Sequence, residues 1–306
     1  MRFPPFPPFD RHPPRFVSVN QHRTAYIRHG QGPPVVLLHG YAGAIWNWEH
    51  QIEPLGRRFT LFIPDLIGQG LSDKPRVTYT PAFYTDWLCG FLDAVGVGRA
   101  AIVGHSMGAG LALSLALTHP DHVDRLALIS GFPRGLLDHI KSSQLRRLHQ
   151  LGSGWLFGLG YRLLGRRAFR KFIGGLVTDR NLVTPAVIER AYHLRKDCGK
   201  ARPLWSSIQH VPDWENDYAL RLGEVRCPVQ IIWGQQDRFI PCSAGEELHQ
   251  AIPGSRLAVI PDAGHLPMWE RPADVNRLIT EFLTSLPSLT FTQPGDYTIS
   301  VPRSLL

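Results

Sequence analysis

Residues 104–108 read Gly-His-Ser-Met-Gly, with Ser106 held between two glycines. The apolar run before it is strand-like and the run Ala109–Leu117 after it is helix-like. The chain must therefore turn from strand to helix within one or two residues, and the residue at the bend is strained. Gly104 and Gly108 lack the side chains that would collide there. Such a bend lifts the Ser106 hydroxyl above the sheet edge, beside the backbone N–H of Met107 at a helix N-terminus, where negative charge is favoured. The chemistry this suits is attack by an alkoxide-like oxygen.

A serine hydroxyl is a weak nucleophile at neutral pH and needs a general base, usually a histidine oriented by a carboxylate. Fourteen histidines compete for that role. In open α/β sheets the ligand site lies beyond the C-terminal ends of the strands. His265 follows the late strand-like run 256–260, so it is the expected base. The acid is expected after the preceding strand, at Asp237 in "VQIIWGQQDRFIP". Asp65 ends an early strand and is read as a loop brace. Asp262 is too close in sequence to reach around the His265 ring. The position just after strand 125–130, where an acid could also stand, holds Gly131 and Phe132.

An oxyanion needs a second N–H facing that of Met107. The loop "LLHGYAGAIWNW" is placed to supply it, from Tyr41, with Ala42 as the alternative. Ile45 and Trp46 of the same loop are expected to line the substrate site. His105, which adjoins the nucleophile but points away from it at the bend, is counted with them.

These residues require a scaffold. Eight strand-like runs occur, at 15–20, 23–30, 34–40, 59–65, 100–106, 125–130, 228–234 and 256–262. From residue 34 onward most are continuously apolar, as in strands covered on both faces of a parallel sheet. Helical patterns alternate with them at 81–95, 107–118, 243–251 and 272–285, which predicts a mostly parallel, doubly wound α/β sheet. The rhythm breaks between 133 and 213. The expected organisation is a core of 1–132 and 214–285, a helical insertion over 133–213, and an unassigned extension over 286–306 with a turn at "QPGDY".

Serine, aspartate and histidine in that order, each on a post-strand loop, resemble the α/β-hydrolase superfamily. Its lipase, esterase and lactonase branch carries five motifs that all occur here in order. They are His39-Gly40, Asp65 to Ser72, Gly104 to Gly108, Trp233 to Asp237, and Gly264 to Pro272. The resemblance covers about residues 25–285 and implies a Ser106–His265–Asp237 triad, an acyl-enzyme, no metal or organic cofactor, and a helical lid over the site. Serine as nucleophile sets this chain apart from epoxide hydrolases and haloalkane dehalogenases. The carbon–carbon bond hydrolases of ring-cleavage products usually show a longer Gly/Ser-rich loop than "HGYAGAIW". The expected substrate is a small-molecule carboxylic ester with a largely apolar acyl or alcohol part, of any acyl length. The alternatives are carbon–carbon hydrolysis, perhydrolysis or acyl transfer on the same triad, or a non-catalytic receptor. Activity is expected to fall on acidification, because a protonated imidazole cannot take the serine proton.

Composition narrows the remaining choices. The net charge is +8, but residues 132–213 hold fifteen Lys or Arg against five Asp or Glu, so the excess belongs to the insertion. No nucleic-acid motif accompanies it. Within it, 154–177 alternates Trp155, Phe157, Leu159 and Leu163 with Arg162, Arg166, Arg167, Arg170 and Lys171. Such a helix can rest weakly on an anionic membrane; the commoner arrangement, favoured here, packs its apolar stripe on the core. Four scattered cysteines without metal-ligand spacing are read as reduced thiols. The Pro-rich start, with no h-region, is read as lacking a signal peptide, and the protein as cytoplasmic.

Overall fold

The computed structural model describes residues 11–131, 135–136, 153–195 and 201–285. The Pro-rich start through Asp10, Phe132, Cys198 and the extension with its expected turn fall outside them. Strands β1 (Arg15–Val19), β2 (His22–His29), β3 (Pro34–Leu38), β4 (Thr60–Pro64), β5 (Ala100–His105), β6 (Val123–Ile129), β7 (Val229–Gly234) and β8 (Arg256–Ile260) form one sheet. Its spatial order is β1-β2-β4-β3-β5-β6-β7-β8. β1 and β2 pair antiparallel, as do β2 and β4; every other neighbouring pair is parallel.

The strand alternation explains how the sheet is covered. Val36, Leu38, Ile102, Leu126, Leu128, Ile231 and Trp233 face one buried cluster. Val35, Leu37, Val103, Ala127, Ile129 and Ile232 face the other. Successive side chains point to opposite faces, so a strand with helices on both sides must be apolar throughout. This is the reason the runs from residue 34 onward do not alternate.

The helices are α1 (Ile52–Gly56), α2 (Pro81–Ala94), α3 (Met107–Thr118), α4 (Gly154–Leu163), α5 (Arg166–Leu176), α6 (Pro185–Arg195), α7 (Ala201–Gln209), α8 (Val211–Asp217), α9 (Cys242–Ala251), α10 (Pro267–Glu270) and α11 (Pro272–Thr284). Helix α2 starts on Thr80, whose side chain accepts from the Phe83 N–H, with Pro81 supplying a preset φ in the first turn. Helices α4 to α8 follow β6 and precede β7. The chain thus leaves the sheet after its sixth strand and returns to it 100 residues later, at Val229.

This helical insertion is fastened to the core by polar ties. Arg190 of α6 forms two hydrogen bonds to the Glu49 carboxylate, at 3.0 and 3.2 Å, and lies over the Trp46 ring. Tyr84 and Ser207 hydroxyls meet at 2.9 Å, and the Tyr79 N–H donates to Ser206 Oγ.

Candidate active site

Ser106 sits at the junction of β5 and α3 with φ 52° and ψ −118°, a conformation that costs a non-glycine residue about 1–3 kcal/mol. Close packing enforces it. A Cβ on Gly104 would lie 2.3 Å from the Gly108 carbonyl oxygen, and one on Gly108 would lie 2.3 Å from that of Leu38. The Ser106 N–H donates to the Ile129 carbonyl, and its own carbonyl accepts from Ala109 and Gly110. The serine backbone is therefore tied to both β6 and α3.

The three predicted triad residues converge. His265 Nε2 is 3.2 Å from Ser106 Oγ, and His265 Nδ1 is 2.7 Å from Asp237 Oδ2. A carboxylate only accepts, so Nδ1 carries the proton and Nε2 presents its lone pair to the serine hydroxyl. Asp237 Oδ1 accepts the N–H groups of Phe239 and Ile240 at 2.8 and 2.9 Å. Both oxygens of this buried carboxylate are therefore satisfied. The Phe239 ring packs 4.9 Å from the His265 ring. Asp262 instead reaches Arg271 at the surface.

The backbone of His265 is clamped from two sides. His265 N–H donates to the Leu176 carbonyl at the end of α5, 2.7 Å away. His105 Nε2 donates to the His265 carbonyl at 2.9 Å. His105 is fully buried and its pKa is held well below the usual value, chiefly by burial and then by His265. It is a neutral brace of the His265 loop. Glu270 completes the clamp. Its carboxylate accepts from Gly264 N–H at 2.6 Å, and from Thr178 and Asp179 N–H at 2.5 and 3.2 Å. One side chain thus joins the base loop to the insertion. Burial raises its pKa against the opposing effect of those N–H donors.

The loop after β3 lies against the elbow: a Cβ on Gly40 would stand 3.1 Å from that of Ser106. Gly43 N–H returns to the Gly40 carbonyl, making Tyr41 and Ala42 the centre of a tight turn with Ala42 left-handed at φ 56°. His39 holds this turn. Its Nδ1 donates to the Gly40 carbonyl at 2.9 Å and its Nε2 accepts the Leu66 N–H at 3.0 Å. Burial lowers its pKa to about 4. Tyr41 is one residue beyond the Gly40–Ser106 contact, and its hydroxyl donates to the Leu204 carbonyl of α7. Met107 is the first residue of α3, opposite this turn.

Ile45 and Trp46, expected to line the substrate site, lie in the buried cluster beneath the insertion. Both are buried in the cluster that includes Trp48, Ile173 and Val187, and Trp46 packs 4.8 Å from Trp269. The Ile45 N–H donates to Asp65 Oδ1, while Asp65 Oδ2 accepts from Leu71. Asp65 is the expected loop brace. Of the residues that matter here, Glu270 and His39 were visible only as letters in motifs. Their roles need the partners that folding brings near.

Among the described residues, one group of side chains has the reach to hold a metal ion: His12, His29 and Glu53. His29 pairs with Leu61 at the start of β4, so the group lies at the opposite sheet edge from Ser106. Cys89, Cys227 and Cys242 are free thiols, with pKa values pushed up by burial to about 11, 12 and 11. No helix among the described residues is long and apolar enough to cross a membrane.

The chain is similar in sequence and fold to known proteins. The chain is 31% identical to an uncharacterized protein of Mycobacterium tuberculosis over 95% of this chain and 85% of that one. It is 27% identical to a 2-hydroxy-6-oxo-6-phenylhexa-2,4-dienoate hydrolase of Burkholderia cepacia, over 89% of this chain and 96% of the relative. Its structure is similar to that of a meta-cleavage product hydrolase from Pseudomonas fluorescens, with a TM-score of 0.76 at 25% identity, covering 88% and 97% of the two chains. The family model for the alpha/beta hydrolase fold matches residues 33–272. That span runs from the strand before the Tyr41 turn to the helix after His265, and the chain belongs to the alpha/beta hydrolase family.

Proposed function

We propose that the protein is a serine hydrolase that cleaves small-molecule carboxylic esters with a largely apolar acyl or alcohol part through an acyl-enzyme. One observation carries this reading: the hydrogen-bonded series Ser106 Oγ, His265 Nε2 and Nδ1, Asp237 Oδ2. Ser106 donates its proton to Nε2 as Oγ bonds to the ester carbonyl carbon. The N–H groups of Met107 and Tyr41 receive the oxyanion. His265 then passes its proton to the departing alcohol, and the acyl group remains on Ser106. Water adds to this acyl carbon by the same route, and the acid leaves. Asp237 keeps Nδ1 protonated throughout. Phe239 beside His265 and the apolar group of Phe157, Leu204 and Ile208 against Tyr41 favour an uncharged, apolar substrate.

Carbon–carbon hydrolysis is a second reading, supported by the relatives named for it. A meta-cleavage product carries a carboxylate that an ester of the proposed kind lacks. Turnover of p-nitrophenyl esters set against a vinylogous diketone acid separates the two. Labelling by a fluorophosphonate, mapped to the Ser106 peptide, supports the nucleophile. Label at another serine, or none on folded protein, rejects both readings.

A further inference from the structure

Helix α5 buries Ile173 in the core as expected, but helix α4 does not bury its apolar residues in that way. α4 turns only Phe157 and Tyr161 inward, where they pack with Leu204, Ile208 and Trp205. Trp155, Leu156, Leu159 and Leu163 point outward; Trp155 is 72% exposed and Leu163 74%. At 100° per residue these four span about 100° of helix circumference, a continuous stripe opposite Phe157 and Tyr161. Of nine large hydrophobic side chains exposed among the described residues, six lie between Trp155 and Phe172. Scattered single residues of this kind need no explanation, but a contiguous patch does.

The charge beside the stripe is of one sign. Residues 153–177 hold five Arg or Lys and no Asp or Glu. Arg162 stands at the edge of the α4 stripe, and Arg167, Arg170 and Lys171 are exposed on α5, which follows after Leu164 and Gly165. Arg166 is engaged with Glu189 and Tyr192. We propose that α4 and α5 form a docking surface for an anionic lipid bilayer, with Trp155, Leu159 and Leu163 entering the interface and Arg167, Arg170 and Lys171 meeting the headgroups. Charge complementarity selects this occupant. A second copy docked through the same patch would set its cations against themselves across a two-fold axis. Residues 286–306 hold one Asp and one Arg, too little charge to match the patch. α4, ten residues long, would lie in the plane of the interface rather than cross it.

The test is co-sedimentation of the full chain with vesicles of phosphatidylcholine alone or with about one-third phosphatidylglycerol. Binding to the anionic vesicles is expected, with at least a tenfold loss between about 0.05 and 0.5 M salt as the charges are screened. Arg167→Gln, Arg170→Gln and Lys171→Gln together should weaken it about 100-fold, on the basis of roughly 1 kcal/mol per cation. Leu163→Asp should weaken it about tenfold or more, with an unchanged circular dichroism spectrum and melting temperature. The Trp155 emission, isolated by difference against Trp155→Phe, should shift to the blue. Ser106→Ala should bind like the wild type, so the proposal stands or falls apart from the catalytic reading. Absence of anionic-vesicle binding, binding indifferent to the three Gln substitutions, or a solution dimer broken by Leu163→Asp would overturn it.

Discussion

Two pairs of hydrogen bonds decide what each key side chain does. Asp237 makes Nδ1 of His265 the protonated nitrogen, and that leaves Nε2 able to take the Ser106 proton. Asp237→Asn offers an amide N–H in place of an acceptor, favouring the wrong tautomer. It is expected to lower kcat by about 10⁴-fold, and Ser106→Ala to abolish acyl-enzyme formation, both with native circular dichroism; steady-state turnover and acyl trapping of a p-nitrophenyl ester check this. His39 makes a different statement, about pH. Its folded pKa of about 4 lies below its ordinary value of 6.5. The unfolded chain therefore binds the proton first, and stability is lost as the pH falls from about 6.5 to about 4. The loss amounts to about 3 kcal/mol. Urea unfolding at pH 7 and pH 4.5 should show it, and His39→Gln should reduce the difference between the two.

The elements act as stops and clamps. β5 cannot be followed so closely by α3 unless residues 104 and 108 are glycines, since a Cβ at either would meet a backbone carbonyl. Gly108→Ala should push the elbow away from β3, with a stability loss of at least about 1–3 kcal/mol by urea unfolding and a fall in turnover larger than the stability loss explains. Glu270 holds the base loop to the segment after α5 through three backbone N–H groups. Glu270→Ala should free that loop and reduce kcat about 10–100-fold with little change in KM. Glu270→Gln, which keeps one carbonyl acceptor, should recover part of the rate.

At the scale of the molecule, the insertion and the sheet meet around the loops that carry Tyr41, Glu49 and His265. Tyr41 bonds to α7, His265 to the end of α5, and Arg190 of α6 to Glu49. The Arg190–Glu49 pair is mostly shielded from water, with side-chain exposures of 11% and 16%. Removing one partner of such a pair leaves the other charge without its match. Arg190→Ala should lower stability by about 3 kcal/mol, and thermal unfolding should detect it.

Much of this could be read from the order of residues alone. Continuous apolar strands, glycines around Ser106, and acid and base after late strands are local patterns, and local sterics and solvation specify them. Eight expected strands and four expected core helices occupy their places. What the chain order could not express was which partner each polar atom would find. His105 bracing the carbonyl of His265, Glu270 joining the base loop to the insertion, and Ile45 turning into the core are contacts across 6 to 160 residues of chain. The exposed face of α4 belongs to the same class. Helical periodicity locates an apolar stripe, but which side is covered depends on the helices packed beside it, and only the tertiary structure brings those together.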